Sequence, residues 1–396
     1  MTKRQVYPTA VEAERAYLVG VELRGGNGRR SLASIEELAL LARTAGASVV
    51  GTTVQRLDRT NPAHYIGKGK LEEIVAERER SDYTMVIFDD ELSPSQQRTL
   101  ERALKVKVLD RTALILDIFA MRARTREGRL QVDLAQSEYL LPRLAGQWSH
   151  LERLGGRSGA PGAIGVRGPG ETQLETDRRL VRKKIARLKA EIERVRKHRA
   201  LYRRRRARAG IPVVALVGYT NAGKSTLMRA LTSADVLVED QLFATLDPVT
   251  RRMILPSGAQ ALVTDTVGFI QKLPTQLVAA FRATLEELAD ADLLVHVVDL
   301  THPDADRQSQ TVDDTLAELG LGARPRVTAL NKVDRLAGPE DLERVARSLR
   351  DRFPGAVLIS AERRWGLDEL ASRIEETMLV LKPGAAAHEE RWVARS

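Results

Sequence analysis

Cysteine is missing from all 396 residues, which excludes disulfides, thiolate metal sites and cysteine nucleophiles together. Aromatic residues are scarce at 4%. No apolar run approaches the roughly 18 residues that a membrane-spanning helix requires. The first twenty residues carry charges where the apolar stretch of a secretory signal would lie, so neither export nor membrane insertion is expected. The expectation is a cytoplasmic chain. What is present is ordinary for a globular protein: 43% hydrophobic and 29% charged residues, with length enough for two or three domains.

The formal net charge of +10 is unevenly spread. Residues 178–208 hold sixteen Lys or Arg against Glu191 and Glu193, a local charge of +14 that leaves −4 on the rest of the chain. A solvated helix face is the plain reading of such a run. Its density favours contact with a polyanion instead.

Along the first 120 residues, apolar runs at 17–21, 48–54, 84–88 and 106–109 alternate with helical patterns. That alternation predicts a small parallel α/β domain over residues 1–125. Within it, Gly67, Lys68, Gly69 and Lys70 fit a turn before a helix better than a phosphate loop, and His64 and Asp117 read as structural. From Leu130 the spacing becomes heptad-like through Leu134, Ser137, Leu141, Leu144, Trp148 and Leu151, with Pro142 expected to kink the helix. A second seam runs through Val181, Ile185, Leu188, Ile192 and Val195. Two such seams predict an antiparallel helical hairpin over 126–208, its arginines facing outward. Between them, residues 155–170 contain seven glycines together with Arg157 and Arg167. This stretch reads as an irregular tip loop able to approach a partner closely, or as a plain linker. A further α/β domain, a mixed sheet flanked by helices, is expected over 209–381, followed by a disordered tail at 382–396.

The third domain carries the chemistry. Residues 211–217 form an apolar run ending in Gly218, Tyr219, Thr220, Asn221, Ala222, Gly223, Lys224 and Ser225, with a helical pattern from Thr226. A glycine-rich loop between strand and helix turns successive amides toward phosphate groups, reinforced by the helix N-terminus. Lys224 is expected to reach the β and γ phosphates, and Ser225 to ligate Mg²⁺. The strand 262–264 then ends in Asp265, Thr266, Val267 and Gly268. Asp265 would complete the Mg²⁺ site through water, and the Gly268 amide would meet the γ phosphate. Between these motifs lies the loop 243–247. Phe243 borders the nucleotide there, and Thr245 would sense the γ phosphate and Mg²⁺. Lys224, Thr245 and Gly268 are the candidate catalytic residues.

Base choice is read from Asn331, Lys332, Val333 and Asp334, which follow the strand 327–330. Asp334 can accept two hydrogen bonds from guanine N1 and N2, a pair that adenine does not offer. Asn331 would tie this loop to the phosphate loop and Lys332 would pack over the base. Ser360 and Ala361, after the strand 356–359, would supply an amide to guanine O6. Phe269 occupies the position where Ras-like enzymes carry the glutamine that orients the attacking water. Hydrolysis is therefore expected to be slow alone and stimulated by a partner. Asn221 resembles the potassium-coordinating asparagine of cation-dependent GTPases, and both that role and simple loop structure stay open.

Taken with HYIGKGKL at 64–71, LDRT at 109–112, ILDIFA at 115–120 and GPGETQLETDRR at 168–179, the chain resembles the HflX family of translational GTPases within the Obg-HflX group. The resemblance covers nearly the whole length and implies GTP and GDP as ligands. It also implies contact with the 50S subunit and its 23S rRNA, and GTP-dependent splitting of stalled or idle 70S ribosomes by a monomer. Arg157, Arg167, Arg178, Arg179, Arg182 and Lys183 are the candidate RNA contacts. The alternatives are a large-subunit assembly GTPase, and a nucleotide-sensing RNA-binding scaffold whose first domain takes ATP or RNA.

Overall fold

The computed structural model describes residues 14–24, 28–144, 169–208, 210–232, 242–272, 288–336, 338, 341, 344, 347, 349 and 351–381. The glycine-rich stretch with Arg157 and Arg167, and the tail at 382–396, lie outside the described residues. The chain divides into two compact units. One comprises Met1–Ile118 with Tyr139–Val181, the other Phe119–Glu138 with Arg182–Ser396.

In the first unit, β1 (Arg15–Leu23), β2 (Ser48–Leu57), β3 (Met85–Phe88) and β4 (Lys107–Asp110) form a parallel sheet in the order β2-β1-β3-β4. All four expected strands are present. The helices α1 (Gly28–Thr44), α2 (Lys68–Ser81) and α3 (Pro94–Leu104) connect them. Burial of Ile35, Leu38, Leu41 and Ala42 marks the apolar stripe of α1. Leu71 and Ile74 of α2 join Leu100 and Leu104 of α3 in one core with Val19, Val86 and Phe88. Gly67 is the N-cap of α2, so the turn-before-helix reading of that segment holds. Ser93 and Gln96 close a reciprocal capping box at the start of α3.

Three helices cross the division between the units: α4 (Arg111–Arg122), α5 (Arg126–Leu144) and α6 (Pro169–Arg208). Pro142 lies within α5, near the end of its described residues. Helix α6 is described from Pro169, so the last two residues of the expected loop are helical. In the second unit α5 and α6 run antiparallel: Glu127 pairs with Arg199 at 2.8 Å, and Glu138 with Lys189 at 2.8 Å. Leu188 is buried while Val181, Ile185, Ile192 and Val195 are half-buried, so the second seam does face inward.

The second sheet has the order β10-β9-β8-β5-β7-β6. Its strands are β5 (Val213–Gly218), β6 (Val249–Ile254), β7 (Gln260–Asp265), β8 (Leu293–Asp299), β9 (Arg326–Asn331) and β10 (Val357–Leu358). All pairings are parallel except that of the edge strand β6 with β7. Strand β5 is buried on both faces, as central parallel strands are. Val214 and Leu216 pack with Leu227 of α7 (Lys224–Thr232) and Leu370 of α9 (Leu367–Leu381). Ala215 and Val217 pack on the other side with Val312 and Leu316 of α8 (Ala305–Glu318).

Candidate functional site

Above the carboxyl ends of β5, β7 and β9 lies a cavity of about 330 Å³. Open α/β sheets place ligands in this position. Thr220, Asn221, Gly223, Lys224, Ser225 and Thr226 line one side of it, and Asn331, Lys332 and Asp334 another. The turn from β5 into α7 is steep. Asn221 takes a left-handed φ of 60° and Gly223 a φ of 95°. A Cβ on Gly223 would collide with the Asn331 side chain, so both conformation and space require glycine there.

Lys224 is buried, and its Nζ donates to the carbonyls of Gly218 at 3.0 Å and Tyr219 at 2.8 Å. Burial holds its pKa down at about 8, partly opposed by the nearby Asp265 carboxylate. Beside it, three oxygens converge. Ser225 Oγ donates to Asp265 Oδ2 at 2.6 Å, Thr245 Oγ1 donates to the same oxygen at 2.9 Å, and the two hydroxyls are 2.9 Å apart. Asp265 is fully buried, its Oδ1 has no hydrogen-bond partner, and burial raises its carboxyl pKa above the usual range. An all-oxygen cluster with an unsatisfied buried carboxylate oxygen fits a hard divalent cation such as Mg²⁺.

At the opposite end Asn331 joins three segments. Its Nδ2 donates to the Ala222 carbonyl at 2.9 Å, and its Oδ1 accepts the Ala361 amide at 3.0 Å. Lys332 has a left-handed φ of 67°, and its Nζ pairs with Asp299 Oδ2 at 2.7 Å. Gly268 packs against Thr220 and Lys224 on the cavity wall. Phe269 instead turns into the core with Tyr219 and Val217. Its backbone is zipped to the phosphate-loop strand, with Phe269 N donating to the Gly218 carbonyl at 3.1 Å and Thr220 N to the Phe269 carbonyl at 2.7 Å.

Three family profiles match consecutive parts of the chain. They are described as GTP-binding GTPase N-terminal over residues 32–120, GTP-binding GTPase Middle Region over 122–206 and 50S ribosome-binding GTPase over 213–332. The GTPase HflX of Caldanaerobacter subterraneus is 50% identical over 93% of this chain and 82% of its own length. The chain belongs to the HflX family. The Escherichia coli GTPase HflX is 43% identical over 88% of this chain and 80% of that protein. A GTP-binding protein from Sulfolobus solfataricus, solved with GDP, aligns at 25% identity over 93% of this chain and 99% of that one, with a TM-score of 0.46.

Within this HflX-family chain the cavity wall differs in detail from the sequence expectation. Gly218, Tyr219, Ala222, Asp265 and Ser360 are not on the wall; they lie behind it, in the strand ends and turns that shape it. Of the Ser360 and Ala361 pair, Ala361 lines the cavity, and its amide donates to Asn331. Lys332 lines the cavity, its Nζ paired with Asp299. Arg229, Ala244, Thr266, Arg335 and Glu362 also line the cavity and were not foreseen. Arg229 stands one helical turn beyond Ser225 on α7, so helix periodicity alone could have found it.

Proposed function

We propose that this GTPase binds the large ribosomal subunit through the basic face of α6 and, in its GTP state, splits stalled or idle 70S ribosomes. The observation that carries the reading is the disposition of charge on that helix. Arg179, Arg182 and Lys183 are exposed, whereas Lys184 and Lys189 meet Asp133 and Glu138 of α5. Part of the positive charge thus holds the two helices together, and part is presented outward to phosphate groups. The profile description over 213–332 names a ribosome partner and supports the same reading. Arg178 is half-buried and fits an RNA contact less well.

At the nucleotide, the amides of the 218–226 turn and Lys224 would take the phosphates, and Asp334 the guanine edge. Ser225 and Thr245 would hold Mg²⁺ directly and Asp265 through water, which supplies positive charge against the phosphates. The Gly268 amide would meet the γ phosphate. Asn221, on the wall with its backbone in the left-handed region, is the group we assign to a K⁺ ion. Phe269 is committed to the core, so the attacking water needs another orienting group, and we assign that role to the ribosome-bound state. Among the described residues no helix is long and apolar enough to cross a membrane. That agrees with action in the cytoplasm, where we place a monomer.

Sedimentation through a sucrose gradient tests the proposal. With 70S ribosomes, the protein plus GTP or a non-hydrolysable analogue is expected to yield free subunits, and GDP is not. Intact 70S peaks, with protein only on free 50S, would sink the splitting reading in favour of a large-subunit assembly role.

A further inference from the structure

The loop 243–247 is anchored on both sides of Thr245. Two residues before it, Phe243 has a left-handed φ of 56°, a region that bulky side chains avoid, yet the residue is 2% exposed. Its ring meets the edge of Phe119 near the end of α4, centroids 4.6 Å apart at 78°. Two residues after Thr245, the Asp247 carboxylate accepts the amides of Arg124 and Thr125, each at 2.8 Å, and also the Thr125 hydroxyl. Thr125 is at the same time the N-cap of α5, its Oγ1 accepting the Gly128 amide at 3.0 Å. Asp247 therefore places an anion at the N-terminus of α5, where the helix dipole favours one. A Cβ on Gly128 would run into Asp247 Oδ1, so the approach depends on glycine at this helical position.

With Phe243 and Asp247 both fixed on the elbow between α4 and α5, the residue midway between them has little freedom. Its hydroxyl arrives on Ser225 and Asp265. We propose that the elbow, residues 119–128, is an in-chain strut that holds the 243–247 loop closed, making Phe119, Thr125 and Gly128 positioning residues for GTP turnover. This rests on the assignment of Thr245 to the Mg²⁺ site. The strut acts through Thr245 and touches neither nucleotide nor metal, so it favours the Mg²⁺-GTP state over the GDP state. By reciprocity, a bound GTP analogue tightens the elbow.

Titrating Mg²⁺ against retention of a fluorescent non-hydrolysable GTP analogue tests this on the full chain, with GDP affinity measured in parallel. Thr125→Ala and Gly128→Ala are expected to raise the half-saturating Mg²⁺ concentration roughly tenfold, the scale of one lost charge-assisted hydrogen bond, and to leave GDP affinity within about twofold. Gly128→Ala removes no hydrogen-bonding group and improves helix propensity, so a loss there cannot be put down to a weakened helix. Thr125→Ser, which keeps the hydroxyl, is expected to behave as the parent. Hydrogen exchange should slow at the Arg124 and Thr125 amides when the analogue and Mg²⁺ are bound, relative to GDP. Thr245→Ala separates the two layers of the argument. If it leaves the Mg²⁺ titration unchanged, the assignment of Thr245 fails and the strut with it. If Thr245→Ala is impaired while Thr125→Ala and Gly128→Ala match the parent, or lose analogue and GDP equally, the strut alone is overturned.

Discussion

At the carboxyl end of the first sheet Arg111 is 2% exposed and meets Asp89 and Glu37, each at 2.7 Å, while Arg143 reaches Asp110 at 3.0 Å across the Tyr139 ring. At the carboxyl end of the second sheet Lys224 donates to loop carbonyls and to no carboxylate, and Asp265 keeps an oxygen without a partner. Both ends bury charge. In the first, each of these side chains pairs with one of opposite charge, although the Arg111 Nε donor has no hydrogen-bond partner. In the second, the buried groups are left under-satisfied around a cavity. Direct pairing of opposite charges marks a cluster that holds a fold together, and buried charged groups left without such pairing mark one that takes a ligand.

Removing Arg111 gives the largest expected effect and attacks the paired end directly. Arg111→Ala strands Asp89 and Glu37 in the core and should cost about 3–5 kcal/mol in urea unfolding. Arg111→Lys should not restore it, because a single ammonium cannot replace the guanidinium fork. At the other end Lys224→Met should slow GTP hydrolysis by roughly a hundredfold or more while unfolding stability stays within about 1 kcal/mol. A loss of stability at Lys224 comparable to that at Arg111 would dissolve the contrast.

The contrast also has a pH dependence. Burial above all, with Arg326 adding, lowers the His296 pKa from 6.5 to about 4. The unfolded chain therefore binds the extra proton first as pH falls. The contribution is whole above pH 6.5 and is lost down to about pH 4, on the order of 3 kcal/mol across that window. His296→Gln should flatten this limb of the stability profile. Smallest is Ser93→Ala in the first unit, where opening the capping box should cost about 1 kcal/mol.

The sheets were largely legible because buried parallel strands write themselves as apolar runs. Two strands were missed. In β6 the pair Arg251 and Arg252 is exposed at the sheet edge, so the segment has the composition of a loop. In β8 the run is apolar enough, but it lies in a long interval between motifs that drew no strand assignment. At the site, motif spacing located the residues but not their bonding. The bond from the Ala361 amide to Asn331 joins two motifs thirty positions apart and is written in neither. The elbow's hold on Asp247 spans 122 positions and left no trace in any local pattern.

Phe269 closes a door behind it. Its ring is core packing and its backbone is a rung between two strands. Writing a glutamine there would sink an amide among Tyr219, Val217 and Leu294 and bring it no nearer the phosphates. A single substitution at this position therefore does not supply an orienting group for the attacking water. On the proposed reading, the timing of switching then belongs to the surface the protein meets.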